Sequence, residues 1–254
     1  MTELQTRTKY TYDSFGNIVA TSGSLVNSFR YTGREFDPET SLYYYRARYY
    51  DPAPGRFLSE DPIGINGGIN FYSYVANSAI GFVDSTGEHA QLDPHSRCAE
   101  VFAKAFKPDL CPEEYAKEFN DIASRIPIVS VPSDRSPTSK LTENDVSHNK
   151  NLSTLGSHFF GVDNPPTAIT IVDGRPRVIV LGPGFGNQPP DLQHADLIHE
   201  ELHGVTGLAD AAIFDALRKY GLPITDFILD PTHPTGAISD WIRKGCPPKA
   251  SGKQ

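Results

Sequence analysis

The sequence is poor in cysteine, methionine and tryptophan. Its 254 residues include three cysteines, one methionine and one tryptophan. Three scattered cysteines are too few for a disulfide framework or a cysteine-rich metal site. They leave two states open, a Cys98–Cys111 disulfide in an oxidising compartment or three free thiols.

The sequence also lacks long apolar runs and an excess of positive charge. Its apolar runs are short, such as VIVLG at 178–182, whereas a membrane-spanning helix needs about 20 apolar residues. The first 13 residues have no apolar centre of the signal-peptide type. The net charge is −8, and nucleic-acid surfaces need clustered basic residues. We therefore expect no membrane span, no export signal and no nucleic-acid partner.

Composition changes sharply near residue 87. Residues 1–87 contain 10 of the 12 tyrosines and no histidine or cysteine, whereas all eight histidines and all three cysteines follow. A chain of this length is large enough for two cores. We expect two domains, 1–87 and 88–254.

The first part predicts short β-strands. KYTYDSFGNIVATSG alternates aromatic and polar residues and then turns at Gly16–Asn17. In LYYYRARYY, at 42–50, tyrosines occupy both alternating sets of positions. Both faces of such a sheet would carry aromatic surface and need cover. We expect an all-β fragment of a larger β structure.

Most of this part resembles a known family. Roughly residues 8–87 are similar to the Rhs/YD-repeat-associated core. The resemblance implies a fragment of a β-shell built from YD repeats, followed by a variable C-terminal toxin. It also implies delivery into a target cell by a specialised secretion system, and partners that include the Rhs shell or secretion apparatus and a cognate immunity protein. The segments that carry it are YTYDSFGNIVATSG, RYTGREFDPETSLYYYRARYYDPAPGRFLSEDPIG and GGINFYSYVANSAIGFVDSTG.

The same resemblance implies an aspartyl autoprotease that frees the toxin by a cut near Gly87–Glu88. By position its two aspartates match Asp61 of DPIG and Asp84 of DSTG, with Arg56 of GRF in support. Two carboxyl groups that share a proton supply one base and one acid, which suits peptide hydrolysis. The alternative is that both aspartates simply begin turns.

Residues 88–254 predict an α+β domain. SRCAEVFAKAF and CPEEYAKEFNDIASRI have helical patterns, and Pro112 stands at the first turn of the second helix. TAITIVDGRPRVIVLG predicts a β-hairpin with its turn at Asp173–Gly174. A further helix is expected to begin with Asp191 as its N-cap.

That helix carries the stretch DLIHEELHGVTGLAD, residues 196–210. His199 and His203 are four residues apart, so both imidazoles face the same way and are close enough to bind one zinc ion. Glu200 is placed to take a proton from water, and Glu201 is expected to face solvent. The pattern resembles the HExxH motif of the zincin metallopeptidases over 197–205 and the preceding hairpin. It implies a zincin-like peptidase domain with Zn²⁺ and a substrate-pairing edge strand.

A zinc enzyme needs a third protein ligand, and no glutamate follows Glu201. We favour Asp210, which a straight helix would place about 10 Å from His203, so this assignment requires a break at Gly207. Its rival role is N-cap of the helix DAAIFDALRKYG. His233 is the second choice as ligand. Other downstream candidates are Asp215, Asp226, Asp230 and Asp240, and Asp196 is a candidate to orient His199.

The leading interpretation is the C-terminal tip of a polymorphic Rhs toxin with a zinc-dependent peptidase domain acting on a protein or peptide substrate. A metal-dependent nuclease is one alternative, although residues 88–254 carry 16 Lys and Arg against 22 Asp and Glu. The other is a non-catalytic remnant that binds an immunity or delivery partner.

Overall fold

The computed structural model describes residues 7–64, 70–126, 128–130, 168–171, 177–182, 185–223 and 235–248. The chain divides into two compact units, Met1–Gln91 and Leu92–Gln254. The division thus falls after Gln91, close to the boundary expected at residue 87. The fold is mixed α/β with several antiparallel pairings. Within the described ranges, no helix combines the length and the apolar character that crossing a bilayer requires.

The first unit consists of short strands. Two form an antiparallel hairpin, β1 (Lys9–Tyr12) and β2 (Ile18–Ser22). Four form an antiparallel meander in chain order, namely β3 (Glu35–Asp37), β4 (Leu42–Tyr44), β5 (Tyr49–Asp51) and β6 (Arg56–Phe57). Two more are β7 (Phe82–Val83) and, at the boundary between the units, β8 (Gln91–Leu92). The turn between β1 and β2 forms at the predicted place, with the Asp13 carboxylate accepting the amide of Asn17 at 3.0 Å.

Strand register gathers the aromatic core on one face of the meander. Tyr43 lies opposite Tyr50, and Tyr50 lies opposite Phe57. Residues directly opposite each other share a face, and these three side chains are fully buried. Tyr44 and Tyr49, on the other face, are 42% and 48% exposed. Of the two aromatic faces that were expected to need cover, the described chain buries one.

The second unit combines helices with a three-stranded sheet. Its described α-helices are α1 (Arg97–Phe106), α2 (Pro112–Ala123), α3 (Pro190–Thr206), α4 (Asp210–Leu217) and α5 (Thr235–Arg243). Its sheet has the order β10 (Ala168–Ile171), β11 (Val178–Leu181) and β9 (Ile128–Ser130). β10 and β11 are antiparallel as predicted, whereas β9 runs parallel to β11. The predicted turn at Asp173–Gly174 lies outside the described residues.

Local chemistry sets the helix ends. The Ser96 side chain accepts the amide of Ala99 at 3.1 Å and so caps α1. α3 begins at Pro190, so the predicted N-cap at Asp191 is wrong by two residues, because the N-cap is Pro189. α3 ends where Gly207 adopts a left-handed conformation with φ of 74°.

α3 is the central helix of the second unit. It packs against β10 and β11, and also against α2 and α5. Its side chains Ala195, Ile198 and Leu202 are buried in these contacts. The HExxH segment therefore lies on a helix that packs against four other elements.

A disulfide bond joins Cys98 on α1 to Cys246, three residues after α5. The predicted Cys98–Cys111 pairing is therefore wrong, and so is the alternative of three free thiols. Cys111 is free and exposed. Its side chain belongs instead to the capping box at the start of α2.

Candidate functional site

The HExxH residues lie in the buried middle of α3. His199, Glu200 and His203 are 1%, 4% and 8% exposed. The imidazole centroids of the two histidines are 4.8 Å apart. One ligand atom from each of the three residues lies within 4.8 Å of the others. The i, i+4 spacing therefore brings two imidazoles and a carboxylate into one small volume.

Asp210 joins this group because the chain bends after α3. The left-handed Gly207 ends the helix, and α4 begins at Asp210. Asp210 Oδ1 lies 2.9 Å from His199 Nε2 and 3.1 Å from His203 Nε2. The break that a ligand role for Asp210 required is present. The rival prediction, that Asp210 is the N-cap of the next helix, is wrong by one residue, since Ala209 is the N-cap and Asp210 is the first helical residue.

Both imidazoles are oriented through their Nδ1 atoms. His203 Nδ1 lies 2.6 Å from the carbonyl oxygen of Leu208, and His199 Nδ1 lies 3.4 Å from Ser239 Oγ. When Nδ1 carries the proton and donates it, Nε2 is left with a free lone pair directed at Asp210. Asp196, a candidate partner of His199, is 8% exposed and accepts a hydrogen bond of 2.8 Å from Gln188.

The donor set fits a zinc ion. His199 Nε2 is buried and, among the described residues, makes no aligned hydrogen bond even though Asp210 Oδ1 is 2.9 Å away. Two imidazole nitrogens and a carboxylate oxygen are ligand atoms that zinc accepts. Ligands about 2.0–2.1 Å from a tetrahedral zinc ion are about 3.3 Å apart. The distances from Asp210 to the two histidines are close to that value.

Burial and neighbouring groups shift the pKa values of three site residues. Burial acts to raise the pKa of Asp210, but the two neighbouring imidazoles outweigh it and lower that pKa. Burial also acts to lower the pKa of His203, yet its contacts with Asp210 and Leu208 raise it overall. For Glu200, burial is dominant and raises the pKa of its carboxyl. Glu200 is therefore a stronger base than a surface glutamate.

Thr170 on β10 is a site residue that sequence reasoning missed. Its hydroxyl lies 2.7 Å from Glu200 Oε2 and 2.8 Å from the Glu200 carbonyl oxygen. The sequence did hold one signal for Thr170, its position on the strand that we expected beside the helix. β10 is at the end of the three-stranded sheet and packs against α3.

The prediction that Glu201 faces solvent is wrong. Its side chain is partly buried on α3, and burial raises its pKa to about 8. A rotation of 100° from Glu200 does not guarantee exposure on this helix, because α3 has neighbours on several sides.

The remaining predicted ligands are elsewhere or outside the described chain. Asp215 pairs with Arg218 at 3.3 Å. Asp240 pairs with the side chains of Arg243 and Lys244. His233, Asp226 and Asp230 lie outside the described residues.

The first unit holds the second predicted site, the aspartate pair. Asp61 and Asp84 are 8% and 2% exposed, and burial raises the pKa of both. The Arg48 guanidinium joins them, with Nη2 at 2.9 Å from Asp61 and 3.5 Å from Asp84. Arg48 Nε also donates to the carbonyl oxygen of Gly87 at 2.6 Å. The two predicted aspartates are thus brought together by a cation.

Arg56 is not the arginine in this cluster. It lies on β6 with an exposed side chain over the ring of Tyr72, 5.7 Å from its centroid. Arg48, rather than Arg56, contacts the two aspartates, and it is 3% exposed. Arg48 lies in the bend just before β5, outside the strand, so strand alternation gave no signal for it.

Both aspartates also begin turns, as the alternative interpretation held. Asp61 Oδ1 accepts the amide of Ile63 at 3.1 Å. Asp84 Oδ1 accepts the amides of Gly87 at 2.7 Å and Glu88 at 3.3 Å. The carboxyl groups are therefore committed to backbone amides as well as to the arginine.

Comparison with known proteins finds relatives for part of the chain. No family model matches it. The putative uncharacterized protein YibJ of Escherichia coli K12 is 45% identical over 78 residues, 30% of this chain and 33% of that protein. Double-stranded DNA deaminase toxin A of Burkholderia cenocepacia is 40% identical over 81 residues, 30% of this chain and 6% of that protein. The tRNA nuclease WapA of Bacillus subtilis is 43% identical over 95 residues, 35% of this chain and 4% of that protein.

These relatives include a toxin and a nuclease, and all are matched over a limited region. The chain spans a third or less of the length of each, and each alignment leaves about two thirds of this chain unaligned. A solved structure of TcdB2-TccC3 is 35% identical, with a TM-score of 0.30 over 32% of this chain and 4% of that one.

Proposed function

We propose that the chain is the C-terminal tip of a polymorphic Rhs toxin whose second unit is a zinc-dependent peptidase. The peptidase proposal rests on the convergence of His199, His203 and Asp210 beside Glu200. The resemblance to the Rhs core and the relatives named as a toxin and a nuclease support the toxin assignment. In this proposal a specialised secretion apparatus delivers the protein, the substrate is a target-cell protein, and a cognate immunity protein binds it.

The proposed chemistry divides the work among the site residues. His199, His203 and Asp210 would hold zinc, which when bound supplies a Lewis acid that activates water and polarises a carbonyl group. Thr170 holds Oε2 of Glu200, which leaves Oε1 to accept a proton from the attacking water. Glu200 then passes this proton to the leaving amine. Among the described strands β10 is at the end of the sheet, beside α3, and it offers backbone groups with which an extended substrate pairs.

Metal content of the full-length chain tests the site. We expect one zinc ion per chain in the wild type and a large loss in His203→Ala and in Asp210→Ala. Asp215→Ala is the matched control, because Asp215 is an aspartate of the same helix that pairs with Arg218. Absence of zinc from the wild type after reconstitution would overturn the proposal and favour a non-catalytic binding remnant.

Glu200→Gln separates binding from chemistry. This variant should keep its zinc and lose hydrolysis of unfolded casein, because an amide cannot take the proton. Transfer RNA and double-stranded DNA are tested in parallel, since two relatives are named for activities on these nucleic acids. Cleavage or base conversion of either nucleic acid, without casein hydrolysis, would overturn the peptidase proposal. The chain lacks the P-C-x-x-C segment of the zinc deaminases.

Autoprocessing of the first unit is a second proposed activity. The observation that favours it is the burial of Asp61 and Asp84 in one cluster beside the Gly87 carbonyl, with the pKa of both carboxyls raised by burial. One protonated and one ionised carboxyl are the pair that peptide hydrolysis needs. The intact mass of the purified chain should show a cut near Gly87–Glu88 that Asp61→Asn and Asp84→Asn abolish. An uncut wild type leaves the turn role as the explanation.

A further inference from the structure

We propose that Ser239 is a positioning residue for His199 and that the Cys98–Cys246 disulfide holds it there. The metal centre would then be complete only under oxidising conditions. The inference rests on the proposed zinc site, whose residues it concerns. Three observations carry it: the contact of Ser239 with His199, the attachment of α5 through the disulfide, and the packing of α1 on the helix that bears Asp210.

The first observation is a buried contact between α5 and α3. Ser239 is fully buried, and its Oγ lies 3.4 Å from His199 Nδ1. α5 packs along α3, so this contact belongs to a helix interface. A partner at Nδ1 fixes the tautomer and the ring rotation of a metal-binding histidine. With Ser239 accepting from Nδ1, the Nε2 lone pair of His199 is directed at Asp210.

The second observation is how α5 is anchored at its C-terminal end. Cys246 follows α5 by three residues and is fully buried. Its amide donates to the carbonyl oxygen of Trp241 at 3.0 Å, and Trp241 Nε1 donates to Pro247 O at 2.9 Å. These bonds fold the segment back onto α5, so a covalent tie at Cys246 restrains the helix itself.

The third observation is where the other end of the disulfide lies. Cys98 is on α1 and is fully buried. α1 packs against α4, whose first residue is Asp210. The disulfide thus links the helix that supports Asp210 to the helix that supports His199. It closes a separation of 148 residues, within which the whole candidate centre lies.

Oxidation is therefore a step in assembling the site. Two thiols lose two protons and two electrons, and one S–S bond forms. Oxidised glutathione is a sufficient acceptor, since it takes up the two protons and the two electrons and is reduced to two molecules of glutathione thiol. Disulfides of this kind persist in oxidising compartments and are rare where glutathione keeps thiols reduced. The proposal places the active form of the second unit in an oxidising compartment, with substrates that are proteins of that compartment.

The test measures zinc affinity of the oxidised full-length chain against a competing chelator. Ser239→Ala should weaken zinc binding about tenfold, the usual effect of losing a partner of a metal-binding histidine. Ser124→Ala is the matched control, because Ser124 is an exposed serine at the end of α2 that bonds to Asp121. Equal affinity of Ser239→Ala and wild type would overturn the positioning role.

The disulfide is tested with the double variant Cys98→Ala/Cys246→Ala. If that variant does not fold, the wild type is used after its disulfide has been reduced and the reductant removed. Either form should bind zinc at least tenfold more weakly, and adding Ser239→Ala should cause no further loss. Cys111→Ala should bind as the wild type does. Unchanged zinc affinity without the disulfide, with the Ser239 effect intact, overturns the redox dependence.

A readout without metal separates this inference from the proposed peptidase. A crystal structure of the apo protein should show the His199 ring held with Nδ1 beside Ser239 Oγ in the wild type, and the ring should rotate or adopt several rotamers in Ser239→Ala. A wild type with this ordered ring that fails to bind zinc overturns the peptidase proposal and leaves the Ser239 contact established. A wild-type ring that is turned away from Ser239 overturns the positioning role.

Discussion

The hydroxyl of Thr170 reaches both the side chain and the main chain of Glu200, at 2.7 Å from Oε2 and 2.8 Å from the carbonyl oxygen. One hydroxyl has one proton, so it donates to one of these oxygens at a time. Glu200 is 4% exposed, and a buried acceptor without a donor is costly. A residue on β10 thus holds the carboxyl group on which the proposed chemistry depends.

Replacement of Thr170 by valine should impair both stability and turnover. Thr170→Val keeps the shape but leaves the buried Glu200 carboxyl without this donor, which costs about 1–3 kcal/mol of unfolding free energy. Zinc content should be unchanged, while kcat for casein hydrolysis falls more than tenfold. Thr170→Ser, which keeps the hydroxyl, should restore most of the rate. Equal kcat in the valine and serine variants would show that the contact has no role in catalysis.

Glu201 should make the stability of the second unit depend on pH. Burial raises the pKa of its carboxyl from 4.5 to about 8, so the folded state favours the protonated form. The stabilisation is complete below pH 4.5 and is lost as the pH rises through about 8. Glu201→Gln should remove this loss and raise the unfolding free energy at pH 9 by at least about 1 kcal/mol, roughly one pKa unit.

The measurement compares wild type and Glu201→Gln by denaturant unfolding from pH 5 to pH 9. Trp241 is the one tryptophan of the chain and lies in the second unit, so its fluorescence reports the relevant transition. The difference between the two proteins should grow with pH. A constant difference would mean that Glu201 ionises as freely when folded as when unfolded.

Gly207 should be required for the position of Asp210. Its φ is 74°, and a Cβ there would lie 2.9 Å from Arg177 Nη2. Gly207→Ala should cost about 1–2 kcal/mol for the left-handed conformation. It should also weaken zinc binding, since Asp210 follows three residues later. Gly236→Ala is the matched control, because a Cβ in α5 would meet nothing within 4 Å. If both variants bind zinc like the wild type, the bend does not control the site.

Local features of the site were predictable from the sequence. The i, i+4 spacing of His199 and His203 needs only a helix to bring the imidazoles together, and Pro190 and Gly207 bound that helix. Asp210 was identified because a glycine break shortens its path to His203. The sequence did not decide whether Asp210 is a metal ligand or a helix N-cap, because both roles depend on the direction of α4 after Gly207.

Contacts between distant segments were not predictable. Ser239 reaches His199 across 40 residues, and Cys98 pairs with Cys246 across 148. Spacing carries no information about such pairs, since helix packing decides them. Arg56 was chosen by its place in a family pattern, whereas burial on the aromatic face of the meander brought Arg48 to the aspartates.

The arginine in the aspartate cluster should be essential to the first unit. Arg48→Gln leaves Asp61 and Asp84 as buried carboxyl groups without a cation, and breaking such a pair costs about 3–5 kcal/mol. Because burial already raises the pKa of both carboxyls, the loss should grow with pH as a larger fraction of them ionises. Arg56→Gln is the matched control and should change stability by less than about 0.5 kcal/mol, since its side chain is exposed.

Near-ultraviolet circular dichroism of tyrosine follows this unit, because residues 1–87 contain 10 of the 12 tyrosines. Arg48→Gln should lower the midpoint of the tyrosine transition and leave that of Trp241 fluorescence unchanged. Similar losses in Arg48→Gln and Arg56→Gln would contradict the assignment of Arg48. A loss in Arg48→Gln that does not vary between pH 5 and pH 8 would place its contribution in the carbonyl contacts with Gly87 and Phe71 rather than in the ion pairs.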